Sequence, residues 1–296
     1  MQLSIFLQPA NYKSETRMVD QKCSLLNLEL TYGLAIRSFK VFLLILFVSG
    51  SLQAQELSSL DLRLSGGMAA KSAFSMKGDK FAAASKKGIT IYNSDASQKL
   101  AEYDPDHSEI TALKFSSNGA YIISGGKGGD IAIFDLETES LLQSLDAHKG
   151  EILDLSTDSK SELIISAGRD KTVKIWDIES GQLMKQLTEH NGYILSVDVN
   201  SDNVIAYAGS ENTLYTYDIK SQTHGLNEQL DVNWIRALDW SHSGKRIALG
   251  SDNGNVLVLG ILGGQIVETR TLNDGGRINA LAFSYDEKYL AAGNAS

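Results

Sequence analysis

Cysteine is nearly absent from this sequence, and proline is scarce. The 296 residues include one Cys, Cys23, and two Pro, whereas Gly occurs 26 times. A single Cys excludes an intramolecular disulfide framework and a Cys-based metal site, and it fits either redox compartment. Frequent Gly between many short apolar runs favours a turn-rich β protein.

Beyond the N-terminal region, basic residues are too few to balance the acidic ones. The formal net charge is −9, and because the first 54 residues hold five Lys or Arg against three Asp or Glu, the remainder carries −11. An acidic body repels phosphate backbones, and no basic stripe follows residue 54, so the sequence argues against nucleic-acid binding. The simplest interpretation of the negative charge is solubility.

The apolar run Val41–Val48 is too short to span a membrane, which takes about 20 residues. Arg37 and Lys40 precede this run, and small or polar residues follow it up to Ala54. This order is typical of a secretory signal peptide, predicted over residues 37–54. We therefore expect no stable membrane span after its removal, and a periplasmic, extracellular or cell-envelope location.

The 36 residues before Arg37 do not fit a signal peptide, whose positive segment is short. Residues 1–36 are therefore an uncertain N-terminal extension, and one interpretation places the true start near Arg37. Two alternatives stay open. The signal remains uncleaved and anchors the protein in a membrane, or the apolar run is a buried helix.

The rest of the chain repeats with a period of about 42 residues. Five similar apolar segments end at positions spaced 42, 42, 41 and 42 residues apart, namely Asn93, Asp135, Asp177, Asp218 and Gly260. Self-similarity at such a period indicates a repeat architecture.

Each period contains four short runs of alternating hydrophobicity. In the third period these are Glu151–Ser156, Glu162–Ala167, Thr172–Asp177 and Gln182–Leu187, with turn residues between them. Alternation and β-branched content predict strands. Four strands in 40 to 45 residues predict one antiparallel blade of a β-propeller.

The third period, from His148 to Asp177, closely resembles a WD repeat. His148 precedes the first strand, Ser166 lies near the end of the second, Asp170 occupies the tight turn, and Trp176 closes the third strand. The resemblance implies that these four side chains form a hydrogen-bonded chain that locks the blade. Polar groups inside a packed blade must satisfy one another.

The other repeats resemble the WD pattern less closely. The second keeps His107, but Phe134 replaces Trp and Gly128 occupies the Asp position, so we expect it to lack the full network. The fourth has Tyr207 and Glu211 at the Ser and Asp positions. These blades are expected to rely more on apolar packing.

The predicted fold is all-β, a β-propeller over residues 55–296 with five blades and a partial sixth. The blades are expected near 65–103, 107–145, 148–187, 190–230, 231–272 and 274–296. Because the sequence stops where the third strand of the last blade would begin, we expect an incomplete ring and a C-terminally truncated chain. The run Leu57–Leu64 is a candidate outer strand for the last blade.

The WD resemblance implies that partners bind the face built by the turns before each first strand and between each second and third strand. Aromatic and Arg side chains on this face are types favoured at binding hot spots, although the alternative that all are ordinary solvated rim residues stays open. The candidate residues are Glu109, Glu151, Tyr193, Trp234 and Arg277 before each first strand, with Arg236 and Arg169 beside them.

Catalytic motifs are missing from the sequence. It contains no G-x-S-x-G, H-E-x-x-H or phosphate-binding loop, and His107, His148 and His190 occur one per repeat, which distributes them around a ring. We therefore predict no catalytic residue, no metal site and no cofactor.

Three functions remain. The first is a non-catalytic scaffold that binds a protein or peptide partner. The second is a regulatory or targeting propeller joined to a catalytic domain, for example a peptidase, beyond Ser296. The third is a propeller enzyme that acts at its central channel.

Overall fold

The structure of the protein is a computed structural model. The described residues are 3–7, 71–85, 88–107, 109–188, 190–273 and 275–295. The predicted signal peptide at 37–54 and the candidate strand Leu57–Leu64 lie outside them. Among the described residues, no helix is long and apolar enough to cross a membrane.

The described secondary structure consists of strands in six sheets, which we call blades 1 to 6. The N-terminal strand is β1 (Leu3–Leu7); blade 1 holds β2 (Lys71–Phe74), β3 (Lys80–Ser85), β4 (Gly88–Asn93) and β5 (Lys99–Tyr103); blade 2 holds β6 (Ile110–Phe115), β7 (Tyr121–Gly126), β8 (Asp130–Asp135) and β9 (Ser140–Asp146). Blade 3 holds β10 (Ile152–Thr157), β11 (Leu163–Gly168), β12 (Val173–Asp177) and β13 (Leu183–Leu187); blade 4 holds β14 (Ile194–Val199), β15 (Val204–Gly209), β16 (Thr213–Asp218) and β17 (Thr223–Gln229). Blade 5 holds β18 (Ile235–Trp240), β19 (Arg246–Ser251), β20 (Asn255–Leu262) and β21 (Gln265–Asn273); blade 6 holds β22 (Arg277–Phe283) and β23 (Tyr289–Ala295).

The prediction of four-stranded antiparallel blades with a partial sixth is confirmed. In blades 1 to 5 the strands follow one another in sequence order, and each pairs antiparallel with the next. The strands of blade 3 begin one residue later than predicted, because polar residues such as Glu151 and Glu162 belong to the preceding turns.

The core consists of apolar layers between neighbouring blades. Between blades 2 and 3, for example, Ile123 and Ile133 pack with Ile152 and Trp176, and all four side chains are buried. Similar layers lie between each other pair of consecutive blades. Removal of these apolar faces from water stabilises the stack of blades, because one twisted sheet cannot cover both of its own faces.

The first strands of successive blades pack against one another, which arranges the blades around a common axis. Within its blade, each first strand pairs on one side only, so some of its N–H groups face the neighbouring blade without a strand partner. Asp154 accepts a bond from the Val197 N–H (3.1 Å) and Asp198 from the Trp240 N–H (3.0 Å). These carboxylates satisfy backbone donors that would otherwise lack a partner.

Blade 6 gains a third strand from the N-terminal end of the chain. The strand β1 pairs antiparallel with β23, in a register that places Leu3 opposite Gly293 and Leu7 opposite Tyr289. It therefore occupies the place that the third strand takes in the other blades. The arc of described blades is not closed between blade 1 and blade 6.

Candidate functional site

The structure brings the four WD-type residues of blade 3 into one hydrogen-bonded chain. The Trp176 indole N–H donates to Ser166 Oγ (2.9 Å), and Ser166 Oγ lies 2.7 Å from His148 Nε2. On the other side of the ring, His148 Nδ1 lies 2.9 Å from Asp170 Oδ1. Gly168 makes room for this arrangement, because a Cβ at that position would collide with the imidazole.

The protonation of this chain follows from its burial. Burial lowers the pKa of His148, so the ring is neutral, with Nδ1–H donating to Asp170 and Nε2 accepting from the Ser166 hydroxyl. Burial raises the pKa of Asp170, but hydrogen bonds from His148 and Thr172 outweigh it and lower the pKa to about 2. Each polar group of this chain thus has a hydrogen-bond partner within the blade.

Blade 2 keeps only part of the hydrogen-bonded chain seen in blade 3. His107 Nε2 lies 3.0 Å from Ser124 Oγ, and His107 Nδ1 contacts the Asp130 carboxylate. This carboxylate belongs to Asp130 on β8, two residues after Gly128, and it does not form a hydrogen bond with Nδ1. Phe134 also has no donor for Ser124. The geometry therefore agrees with the expectation that this blade lacks the full network.

Blade 4 replaces most of the hydrogen-bonded chain with aromatic packing. Tyr207 and Tyr215 stack with ring centroids 5.2 Å apart, and His190 packs edge-on against Tyr207 at 5.4 Å. The Tyr215 hydroxyl donates to Glu211 (2.8 Å), which occupies the position of Asp170. The expectation that this blade depends on apolar contacts agrees with this geometry.

One backbone hydrogen bond recurs on the candidate binding face. In blades 2 to 5 the carbonyl of the residue before the first strand accepts the N–H of a residue in the turn between the second and third strands. The bonds are Lys127 to Glu109 (2.9 Å), Arg169 to Glu151 (2.8 Å), Ser210 to Tyr193 (3.0 Å) and Asp252 to Trp234 (2.9 Å). The face is therefore a set of equivalent residue pairs held on a fixed backbone.

A β-bulge follows the first Ile in each of blades 2 to 6. The pairing register of the first strand shifts across the residue after that Ile, which is Arg236 in blade 5. The corresponding shifts occur at Thr111, Leu153, Leu195 and Asn279. Bulges re-aim a side chain at the end of a strand, and in blade 5 the bulge carries a guanidinium.

In blades 2 and 3 the two residues of each equivalent pair carry opposite charges and form an ion pair. Lys127 forms an ion pair with Glu109 (2.8 Å), and Arg169 forms one with Glu151 (3.3 Å). Exposed ion pairs of this kind contribute about 0 to 1 kcal/mol. This part of the face carries charges that already have partners.

In blades 4 and 5 the same positions hold aromatic residues. Tyr193 is 39% exposed and Trp234 45% exposed. Cations lie near both rings: Arg169 and Lys171 at 5.9 and 5.7 Å from the Tyr193 centroid, and Arg236 at 5.5 Å from that of Trp234. This part of the face combines exposed aromatic surface with positive charge.

Asp252 joins the remaining candidate residues, and sequence reasoning missed it. Its Oδ1 atom lies 2.5 Å from Arg236 Nε and 2.7 Å from Arg277 Nε. Asp252 occupies the turn position that Lys127 and Arg169 hold in blades 2 and 3. Aligning the turns between second and third strands would have identified it, because its charge is opposite to that of Lys127 and Arg169.

The arrangement is suited to binding. Among the residues described by the structure, no group of three His, Cys, Asp or Glu side chains could hold a metal ion. The face instead presents aromatic rings, guanidinium groups and matched ion pairs on rigid turns. We call Tyr193, Trp234, Arg236 and Arg277, with Asp252, the aromatic–arginine sector.

Comparisons with known proteins agree with the fold. The family model described as "Nucleolar protein 10-like, N-terminal domain" matches residues 68–219, which is just over half of the chain. The model described as "Anaphase-promoting complex subunit 4 WD40 domain" matches residues 199–286. No curated protein matches the chain.

A similar solved chain belongs to a structure described as "Crystal Structure of Mitotic Checkpoint Complex". The TM-score is 0.69 and the sequence identity 19%, with 83% of this chain and 81% of that chain covered. At this identity the likeness shows the fold alone.

Proposed function

We propose that this chain, which belongs to the WD-repeat β-propellers, is a non-catalytic scaffold that binds a protein or peptide partner. The proposed binding surface is the face that carries the aromatic–arginine sector. The family membership rests on the model of the nucleolar protein 10-like N-terminal domain, which matches residues 68–219. Propellers of this family commonly serve as protein-interaction scaffolds and are generally non-catalytic. A likeness of fold does not identify the partner, so the argument depends on the residues of the face.

The observation that carries the proposal is the exposure of Trp234 beside Arg236. The other two Trp side chains, Trp176 and Trp240, are buried in the blades. An exposed Trp held by a backbone bond and flanked by Arg is the kind of residue that dominates binding energy at protein interfaces. The ion-paired residues of blades 2 and 3 would form the rim of the same surface.

We further propose that the protein acts outside the cytoplasm, in the periplasm, the cell envelope or the extracellular medium. This proposal is supported by the basic residues, the apolar run and the small residues of the segment 37–54. An uncleaved segment would instead hold the propeller at a membrane surface.

Affinity purification of the tagged full chain from its native cells tests the binding face. We expect Trp234→Ala to weaken partner binding by about 2 kcal/mol, or roughly thirtyfold, because a hot-spot Trp is removed. Quantitative mass spectrometry of the co-purified proteins measures the loss.

Tyr285→Ala is the matched control. Tyr285 is an exposed aromatic residue in the turn between β22 and β23, at the opposite end of the blades, so its removal should leave the partner bound. Retention of every partner by Trp234→Ala, or equal loss in both variants, would rule out the proposed face.

A further inference from the structure

Two guanidinium groups share one carboxylate in the aromatic–arginine sector. Arg236 and Arg277 both approach the same oxygen, Asp252 Oδ1, through their Nε atoms, at 2.5 and 2.7 Å. The two arginines come from different blades, and the Asp252 N–H is bonded to the Trp234 carbonyl (2.9 Å). One negative charge cannot balance two positive ones, so the cluster retains a net positive charge.

The terminal nitrogens of both guanidinium groups are available to a ligand. Among the described residues, none accepts a hydrogen bond from the Nη atoms of Arg236 or Arg277. The two side chains are 24% and 49% exposed, so solvent reaches both. A guanidinium has five N–H donors in a planar fork that matches a carboxylate. Because both guanidinium groups contact Asp252, they lie next to each other.

An apolar surface adjoins these donors. Arg236 lies over the exposed ring of Trp234, with its Cζ atom 5.5 Å from the centroid. In the neighbouring blade Tyr193 is exposed and lies near two further cations, Arg169 and Lys171. A ligand that contacts both parts must therefore present an anionic group next to an apolar one.

We propose that the Arg236–Arg277 pair and Trp234 form a subsite for an acidic residue of a peptide segment, with a neighbouring apolar residue of that segment on the Trp234 ring. The inference rests on the proposed function and names the chemistry of the partner. A carboxylate that accepts from both guanidinium groups forms charge-assisted hydrogen bonds, which are stronger than neutral ones. A single peptide carboxylate complements the excess charge that Asp252 leaves.

The charge of the whole chain favours a peptide over a nucleic acid as the occupant. The net charge of −9 repels a polyanion approaching from a distance, whereas an isolated carboxylate needs only the local positive charge. Phosphate-rich ligands would also require many cations, since each neutralised phosphate takes its own Lys or Arg. The sector provides only two arginines, Arg236 and Arg277, and one of its carboxylates, Asp252, already pairs with both.

Selection of a displayed random-peptide library on the immobilised full chain tests the proposal. We expect the selected peptides to be enriched in Asp or Glu next to an apolar residue. In the variant Arg236→Gln/Arg277→Gln the acidic enrichment should disappear, while the apolar preference remains because Trp234 is intact. The variant Lys220→Gln/Lys245→Gln, which removes two exposed lysines from turns at the opposite end of the blades, should select the same acidic peptides as the unaltered chain.

Fluorescence anisotropy with a selected peptide measures the effect. The peptide should bind at least about tenfold more tightly than its copy with Gln in place of the acidic residue. Arg236→Gln/Arg277→Gln should remove that difference. The single change Arg277→Gln, at a half-exposed side chain, keeps the test valid if the double variant folds poorly by circular dichroism.

Three results would overturn the proposal. These are selection without acidic enrichment, binding that the arginine variants do not alter, and a labelled oligothymidylate that displaces the peptide and depends on the same arginines. If selected peptides depend on Trp234 but not on the arginines, only this inference fails. If they depend on no residue of the sector, the proposed function fails with it.

Discussion

At the scale of the residue, the Ser166 hydroxyl takes part in two hydrogen bonds inside blade 3. Ser166 is completely buried, and its oxygen joins the Trp176 indole N–H to His148 Nε2. In blade 2 the equivalent Ser124 is also buried, but Phe134 offers it no donor. The two serines therefore occupy equivalent positions with different numbers of partners.

We expect Ser166→Ala to lower the free energy of unfolding by about 2 to 4 kcal/mol, because it leaves two buried polar groups, the indole N–H and His148 Nε2, without partners. Urea denaturation followed by Trp fluorescence measures this loss. The residual network between His148 and Asp170 stays in place, so the protein should still fold.

Ser124→Ala is the matched control. It removes the Ser124 hydroxyl, which bonds to His107 Nε2 and to no indole. The expected loss of unfolding free energy is therefore smaller, about 1 to 2 kcal/mol. Equal losses in the two variants would show that the indole bond contributes nothing to stability.

At the scale of the element, each first strand lacks a strand partner on one side, and side chains of the neighbouring blade accept hydrogen bonds from N–H groups on that side. Asp198 on β14 bonds to Ser156 Oγ of blade 3 (2.8 Å) and accepts the Trp240 N–H of blade 5 (3.0 Å). Asp239 accepts the Phe283 N–H in the same way (2.7 Å). A carboxylate on one first strand thus connects consecutive blades close to the axis.

Asp198→Ala should destabilise the protein by about 1 to 3 kcal/mol, because the Trp240 N–H and the Ser156 hydroxyl lose their acceptor. Thermal unfolding monitored by circular dichroism measures the change. Asp202→Ala, at an exposed turn position of the same blade, should change the stability by no more than about 0.5 kcal/mol. If Asp198→Ala costs no more than this control, the interblade bonds do not stabilise the arc.

At the scale of the whole molecule, the proposed location outside the cytoplasm determines where the proposed binding face would meet its partner. A secreted propeller would meet its partners outside the cytoplasm. The part of the chain after residue 54 carries a formal charge of −11, which favours solubility. Cleavage after Ala54 would remove Cys23, so the mature protein would have no thiol to oxidise. It would also remove β1, so the third-strand position of blade 6 would no longer be filled from the N-terminal end of the chain.

Expression of the full chain in a Gram-negative host tests the proposed signal. We expect export and a mature N-terminus at Gln55, seen by intact-mass measurement of the periplasmic fraction. Leu44→Arg should retain the precursor in the cytoplasm, because a charge interrupts the apolar run. Leu26→Arg, upstream of the run, is the control and should leave export unchanged. An unprocessed, unaltered chain found only in the cytoplasm would contradict the proposal.

The sequence by itself determined the repeat and the four strands of each blade. These two features depend on local alternation and on a period of about 42 residues, both of which can be read along the chain. The residues of the blade 3 network were implied by the resemblance of that period to a WD repeat. The residue column before each first strand followed from the same period, because equivalent positions in successive blades lie on the same face.

Only the tertiary structure decided which side chains meet across blades and turns. Asp130, which lies on β8, contacts His107. Asp252 contacts both Arg236 and Arg277, which lie in two different blades. A repeat period identifies equivalent positions, but it does not give the twist and spacing of neighbouring sheets. Those quantities determine whether a carboxylate comes within 3 Å of a donor that lies far away in the chain.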